Sequence, residues 1–260
     1  MILWNYSRND DCGTLLMMTD SVQFFGILNV TPDSFSDGGE FLDREKALKH
    51  AEKLIQDGAD YIDVGGESTR PDAESIDSDQ EWERVGEIVK QLLKKYPGQI
   101  SLDTRNVVTA EKFLAFGGTI LNDVSGFQDP AMRAIAPKFE KIILMHFPGK
   151  TVDEVHAQHI DSVEVVRENL LQRKELLVQA GVSPDSIILD PGIGFGKTMA
   201  CNWELLKFAE LLPNETILIG HSRKRFLGED RFETEPNVEA GNIAIQSGAS
   251  YLRVHEGEAY

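Results

Sequence analysis

The sequence predicts a (β/α)8 TIM barrel, and two observations carry the prediction. Eight short apolar runs of β-like length recur along the chain, each stopping at a polar or glycine-rich stretch. Between them lie segments whose apolar residues recur with the helical period. Strands that alternate with helices build a parallel sheet, and a closed barrel takes eight of them. Reacting groups in such a barrel sit at the C-terminal ends of the strands, so the residues that end the runs are the candidates for chemistry.

In chain order, Gln23 to Leu28 ends in Asn29, and Tyr61 to Val64 ends in Gly65-Gly66-Glu67-Ser68-Thr69-Arg70. Ile100 to Leu102 ends in Asp103, Thr119 to Leu121 in Asn122-Asp123, and Lys141 to Met145 in His146. Ser186 to Leu189 ends in Asp190, Thr216 to Ile219 in Gly220-His221-Ser222-Arg223-Lys224, and Ser250 to Leu252 in Arg253-Val254-His255. The intervening helices show one apolar stripe each: Ala47, Ala51, Leu54 and Ile55, then Trp82, Val85, Val89 and Leu92, then Val163, Val166, Leu170 and Leu177. Helix stops fall at Asp57-Gly58, Phe116-Gly117-Gly118 and Ala180-Gly181, where glycine supplies the left-handed cap. Residues 1–22 precede the barrel as a hairpin, Ile2 to Tyr6 against Thr14 to Met18, or as a tail. After His255 only five residues follow, so the last helix is expected to be missing or truncated and one side of the last strand uncovered.

At 260 residues and 41% hydrophobic content the chain suits one barrel domain, which takes ~250 residues, with no second domain. Lys and Arg total 26 against 43 Asp and Glu, a net charge of −17, which argues against nucleic acid and anionic membrane as partners. Cations gather locally at Arg223-Lys224-Arg225 and near Arg253, where an anionic substrate would need them. Cys12 and Cys201 have no metal-type spacing and form no disulfide framework, which suits free thiols in a reducing cytoplasm. No run approaches the ~20 apolar residues of a membrane span.

Residues 192–198, Gly-Ile-Gly-Phe-Gly-Lys-Thr, invite comparison with a nucleotide phosphate loop, but Pro191 stands where that motif needs glycine. A mobile loop that covers a substrate is the better expectation. Asp103 and Asp190 would project into the barrel mouth, where carboxylates accept from the N–H and NH2 groups of a nitrogen heterocycle and Asn122 both donates and accepts. Each taken singly is as well explained as a helix cap or loop-bonding residue. Lys224 and Arg253-x-His255 occupy the quarter of a barrel that often holds phosphate, and suit a diphosphate. His156-x-x-His159 resembles metal spacing only superficially and is expected to be an exposed helix start.

Taken together, these residues resemble the dihydropteroate synthase family over nearly the whole chain. One signature is Gly26-Ile27-Leu28-Asn29-Val30-Thr31-Pro32-Asp33-Ser34-Phe35-Ser36-Asp37-Gly38-Gly39, and a second is Asp63-Val64-Gly65-Gly66-Glu67-Ser68-Thr69-Arg70-Pro71. Ser101-Leu102-Asp103-Thr104, Asn122-Asp123-Val124, Met145-His146, residues 190–198, Ser222-Arg223-Lys224 and Arg253-Val254-His255 follow in order. The resemblance implies a single pterin-binding barrel over 1–260. It also implies an enzyme that joins 4-aminobenzoate to 6-hydroxymethyl-7,8-dihydropterin diphosphate, releasing diphosphate.

By this resemblance Asp103, Asn122, Asp190 and Lys224 hold the pterin, Met145, Val124 and Gly220 line its slot, and Arg253 packs over its ring. Asn29, Arg70, Arg253 and His255 hold the diphosphate, with Asn29 also on Mg2+. Thr69, Pro71, Phe195 and Lys224 form the aminobenzoate pocket, and Asp103, Lys224, Arg253 and His255 carry catalysis. The family also implies a homodimer in the cytoplasm and sulfonamide inhibition. Departures from its pattern are Arg225 for Ser, Asp72 for Gly, Cys201 for His, Glu256 for Asp, and the absent last helix. Two other readings stay open here: a pterin-dependent methyltransferase, and a non-catalytic barrel that partners a true synthase.

Overall fold

The computed structural model describes residues 22–31, 39–69 and 75–255. The expected N-terminal hairpin, Arg70, Pro71, Asp72 and Glu256 lie outside the described residues. The strands are β1 (Gln23–Asn29), β2 (Tyr61–Gly65), β3 (Ile100–Asp103), β4 (Ile120–Asp123), β5 (Lys141–Met145), β6 (Ile187–Asp190), β7 (Thr216–Ile219) and β8 (Tyr251–Val254). Each runs parallel to its neighbour in chain order, and β8 pairs with β1 to close the barrel. The helices between are α1 (Gly39–Gln56), α2 (Ser78–Lys95), α3 (Val107–Ala115), α4 (Pro130–Ile135), α5 (Val152–His156) and α6 (Val163–Gln179). α7 (Met199–Glu204), α8 (Phe208–Leu211) and α9 (Thr234–Gln246) complete the set among the described residues. None of the described helices is long and apolar enough to cross a membrane.

Strands covered on both faces read as continuous apolar runs, and here each face has its own partner. Outward residues, among them Leu28, Val64, Leu102, Leu121, Leu189 and Ile219, join the main core with the helices. Inward, Phe25, Ile120, Ile143, Ile188, Leu218 and Tyr251 form a separate cluster with Tyr61 against it. Phe25 stacks on Tyr61 at 4.6 Å and meets Tyr251 edge-on at 5.4 Å. This plug is the floor of the barrel, packed side chain to side chain with no pore.

Helix ends follow local chemistry. Asp77 caps α2 by accepting from Asp79 N at 3.0 Å and Gln80 N at 2.8 Å, while Gln80 Oε1 accepts from Asp77 N at 3.2 Å. A cap of this kind is worth about 1 kcal/mol. The buried stripe of α2 includes the predicted Val85, Val89 and Leu92, and that of α6 is Val166, Leu170 and Leu177. Gly58, Gly117 and Gly181 take the left-handed conformation the predicted stops require.

Several expectations change, β4 and β8 each beginning one residue later than expected, at Ile120 and Tyr251. β6 begins at Ile187 because Pro184–Ser186 form a tight turn that uses up the preceding residues. β8 is not exposed on one side: all four of its side chains are buried, and outward-facing Leu252 and Val254 join the main core with Ala240, Ala244 and Ala249.

Candidate active site

A strand's side chains return to the same face every second residue, so one inward step above the floor brings Asp63, Asn122, Met145, Asp190, Gly220 and Arg253 together. Register places Asp103 beside Asn122 and Gly65, at the same mouth. Asn122 Nδ2 donates to Asp63 Oδ2 at 2.8 Å. The Arg253 guanidinium reaches between two carboxylates, Nη2 lying 3.2 Å from Asp190 Oδ2 and Nη1 3.6 Å from Asp63 Oδ2. Gly220 makes room for it, since a Cβ there would stand 3.1 Å from Nη2. On the rim, Asn29 Oδ1 and Asp103 Oδ2 both turn toward Gly65, 3.7 and 3.6 Å from where its Cβ would stand.

Several buried polar atoms of this layer have no hydrogen-bond partner in the protein: Asp63 Oδ1, Asn122 Oδ1, Asp190 Oδ2 and Arg253 Nη1. Leaving one such atom unsatisfied costs about 1–3 kcal/mol, and natural interiors hold few of them. Here they share one chamber. That is the signature of a surface shaped for a polar ligand rather than for the protein's own stability.

Charge is arranged to match. Burial, followed by the neighbouring charge of Asp63, raises the Asp103 carboxyl well above its usual range, with Arg253 opposing. Burial also lowers Lys224 to about 8, helped by the like charge of Arg253 and opposed by Asp190 and Asp103. For Arg253 burial opposes the charge, but Asp190, Asp63 and Asp103 outweigh it and its affinity for the proton rises. The layer is a network of shared charges in a water-poor chamber, where each interaction is stronger than in water.

An apolar wall stands above. Val124, Met145, Phe147, Val155 and Phe195 pack as one cluster, and Lys224 Nζ lies 4.5 Å from the centre of the Phe195 ring. The glycine-rich stretch after β6, expected to be mobile, is pinned. Lys197 Nζ donates to Gly192 O at 2.7 Å and Phe195 O at 2.9 Å, closing the loop on itself. A Cβ on Gly192 would stand 2.4 Å from His146 O, and one on Gly196 2.3 Å from Val155 O. Gly192 and Gly196 stand where backbone presses on backbone, and both take the positive φ that glycine allows. Asp190 takes the loop-bonding role, Oδ1 accepting from Gly192 N at 2.7 Å, while Oδ2 faces Arg253.

The structure thus brings together Asp103, Asn122, Val124, Met145, Asp190, Phe195, Gly220, Lys224 and Arg253. Asn29 stands on the rim, and Thr69 is joined to the Phe195 side through His156, whose Nε2 lies 3.3 Å from the Thr69 carbonyl and whose ring lies 6.1 Å from that of Phe195. His255 joins the phosphate quarter with Ser222 Oγ 2.8 Å from its Nδ1. Of the three basic residues 223–225, Lys224 faces the site, whereas Arg225 is exposed and the Arg223 backbone is held by Asn237 Oδ1 at 2.8 Å. His156 ends α5 instead of starting a helix, and no group of three His, Cys, Asp or Glu able to hold a metal occurs among the described residues. Sequence reasoning missed Asp63 and Lys197, and placed Ser222 only within the run Ser222-Arg223-Lys224. The available signal for Asp63 was an ionisable residue inside an otherwise apolar strand, two positions from Tyr61 and Gly65.

A carboxylate-lined chamber with a cationic quarter, at the C-terminal mouth of a closed barrel, defines a barrel enzyme for an anionic heterocyclic substrate. Family comparison agrees: the description "Pterin binding enzyme" matches residues 25–255, and the chain belongs to that family. The dihydropteroate synthase of Bacillus subtilis is 39% identical over 89% of this chain and 82% of its own length. Among solved structures, the synthase of Anaplasma phagocytophilum has a TM-score of 0.80 at 37% identity, covering 91% of this chain and 94% of its own. That of Xanthomonas albilineans has a TM-score of 0.81 at 36% identity, covering 92% and 89%.

Proposed function

We propose that the protein condenses 4-aminobenzoate with 6-hydroxymethyl-7,8-dihydropterin diphosphate to give 7,8-dihydropteroate and diphosphate. The observation that carries this reading is the layer of orphaned acceptors and cations around Asp63, Asn122, Asp190 and Arg253. Relatives lend support: the Anaplasma phagocytophilum structure holds 6-hydroxymethylpterin monophosphate, and the Xanthomonas albilineans structure holds 4-aminobenzoic acid.

Asp103, Asn122 Oδ1 and Asp190 Oδ2 accept from the N–H and NH2 edge of the pterin, and the Lys224 ammonium donates to the ring's acceptor side. Arg253 lies over the ring and, with His255, Asn29 and Arg70, receives the diphosphate. The C–O bond to diphosphate breaks, leaving positive charge on the methylene and ring. The Asp103 carboxylate sits where that charge spreads, so its attraction grows as the bond opens. The aryl amine, held between Phe195, Thr69, Pro71 and Lys224, then forms the C–N bond and loses a proton. A water-poor slot protects the cation from hydrolysis.

Mg2+ belongs to the same proposal. Its fit rests on the donor set: one amide oxygen, Asn29 Oδ1, on the rim and, among the described residues, no carboxylate cage, which suits a hard ion that keeps waters and takes the remaining ligands from substrate phosphates. When bound, it would neutralise charge on the diphosphate. A homodimer is supported by exposed apolar residues near α7 and α9, Met199 at 62% and Phe232 at 65% exposure. A cytoplasmic setting suits Cys201, a buried free thiol. Sulfonamides, one of which occupies the related Yersinia pestis structure, would compete at the Phe195 side.

Incubating the purified chain with both substrates, with and without Mg2+, tests the reading, alongside sedimentation. Dihydropteroate formed only with the metal is the expected result. Folded protein that binds pterin diphosphate yet forms no product would overturn it in favour of a non-catalytic barrel.

A further inference from the structure

His156 has no part in the reaction above, yet its two contacts fall on the two loops that shape the second pocket. Nε2 lies 3.3 Å from the Thr69 carbonyl, and because a carbonyl only accepts, Nε2 carries the hydrogen. The imidazole also lies beside Phe195, with ring centres 6.1 Å apart and planes inclined by 24°. Thr69 follows β2, and Phe195 follows β6. His156 is therefore the bridge between them.

The bridge has one fixed end. Val155, the preceding residue, is fully buried in the Phe195 cluster, and its carbonyl presses on Gly196. Ile160 N donates to Gly196 O at 2.9 Å, and Thr198 N donates to Ile160 O at 2.9 Å, so α5 and the stretch after it are seated on the glycine-rich loop. On the other side, the loop after β2 is tied at its neck. Glu67 takes Arg105 Nε at 2.8 Å and Nη2 at 2.6 Å, and also accepts from Ile76 N at 3.3 Å. Those bonds fix where the loop leaves and returns. None of those bonds involves Phe195, whereas His156 contacts both Thr69 and Phe195.

We propose that His156 is a positioning residue for the second substrate: it sets the width of the slot between Thr69 and Phe195 in which the aryl amine lies. The identity of that amine rests on the functional reading above, whereas the bridge itself does not. A contact of this kind acts on the affinity of the amine and leaves the opening of the pterin C–O bond untouched. Its loss should therefore appear in one Michaelis constant and not the other.

Two measurements on the full chain decide it, using His156→Ala and His156→Gln, the latter because a glutamine amide can still donate to the Thr69 carbonyl. In steady state, His156→Ala should raise KM for 4-aminobenzoate about tenfold, with kcat and KM for pterin diphosphate within about twofold, and His156→Gln should recover most of the loss. In hydrogen exchange, peptides covering residues 66–69 should exchange faster in His156→Ala and at the wild-type rate in His156→Gln. If wild type forms no product, the functional reading fails and the exchange result alone judges the bridge. Unchanged exchange overturns the proposal, as does a uniform loss in kcat and both KM values.

Discussion

Ile120, Ile143, Ile188 and Leu218 of the floor stand two residues below Asn122, Met145, Asp190 and Gly220 on the same strands, yet the two layers are built to opposite rules. In the floor the apolar side chains lie in contact with one another. In the layer above, polar atoms are left without partners and carboxylates crowd around one guanidinium. The floor contributes stability and has no chemistry to offer. The upper layer gives up stability to keep acceptors and charge poised for a ligand, the trade expected of a binding chamber.

The comparison breaks if the layers respond alike to substitution. Asp103→Asn should lower kcat about 10³-fold while pterin diphosphate binding falls far less, because its charge matters most as the cation develops. Its melting temperature should hold or rise, since a crowded carboxylate has been relieved. Equal losses in kcat and binding would contradict the role given to Asp103. Ile188→Ala should do the reverse, costing about 2–5 kcal/mol in chemical denaturation while the folded fraction keeps its kcat/KM.

A finer test uses pH. Lys224 ionises at about 8 in the folded protein against the usual 10.5, so between these values the native state has lost a proton that the unfolded chain retains. Stability from this group therefore rises with pH across that window, the burial penalty on the ammonium being fully present below about 8. Activity should move the other way, kcat/KM falling as the cation is lost. Lys224→Arg should push the alkaline limb upward, and a limb that stays put would remove Lys224 from that role. The smallest effect is expected at Ser222→Ala, where loss of the two hydrogen bonds between Ser222 Oγ and His255 should raise KM for pterin diphosphate about threefold with unfolding midpoints nearly unchanged.

Much of this was legible in the chain. Runs buried on both faces announce parallel strands, and the residues that stop them point into the mouth; Asp103, Asn122, Asp190 and Arg253 were found by that rule alone. Asn29 and Gly220 also end runs, but the resemblance supplied their roles and added Val124, since these residue types say little unaided. What stayed hidden depends on distances between segments far apart in sequence. Asp63 reads as part of a strand until Asn122 and Arg253 are seen to converge on it. The glycines at 192, 194 and 196 read as freedom until His146 O and Val155 O are seen pressed against two of them, and Lys197 reads as a surface cation until its ammonium is found inside the loop. His156 reads as a helix start because nothing local reveals Thr69 and Phe195.

The sealed floor also governs traffic. Among the described residues, Phe25, Ile120, Ile143, Ile188 and Leu218 close the lower end of the chamber. A guest in the carboxylate layer therefore lies beneath anything that rests above it. An ordered arrival would need no moving gate: a room closed below is enough to put the deepest guest first.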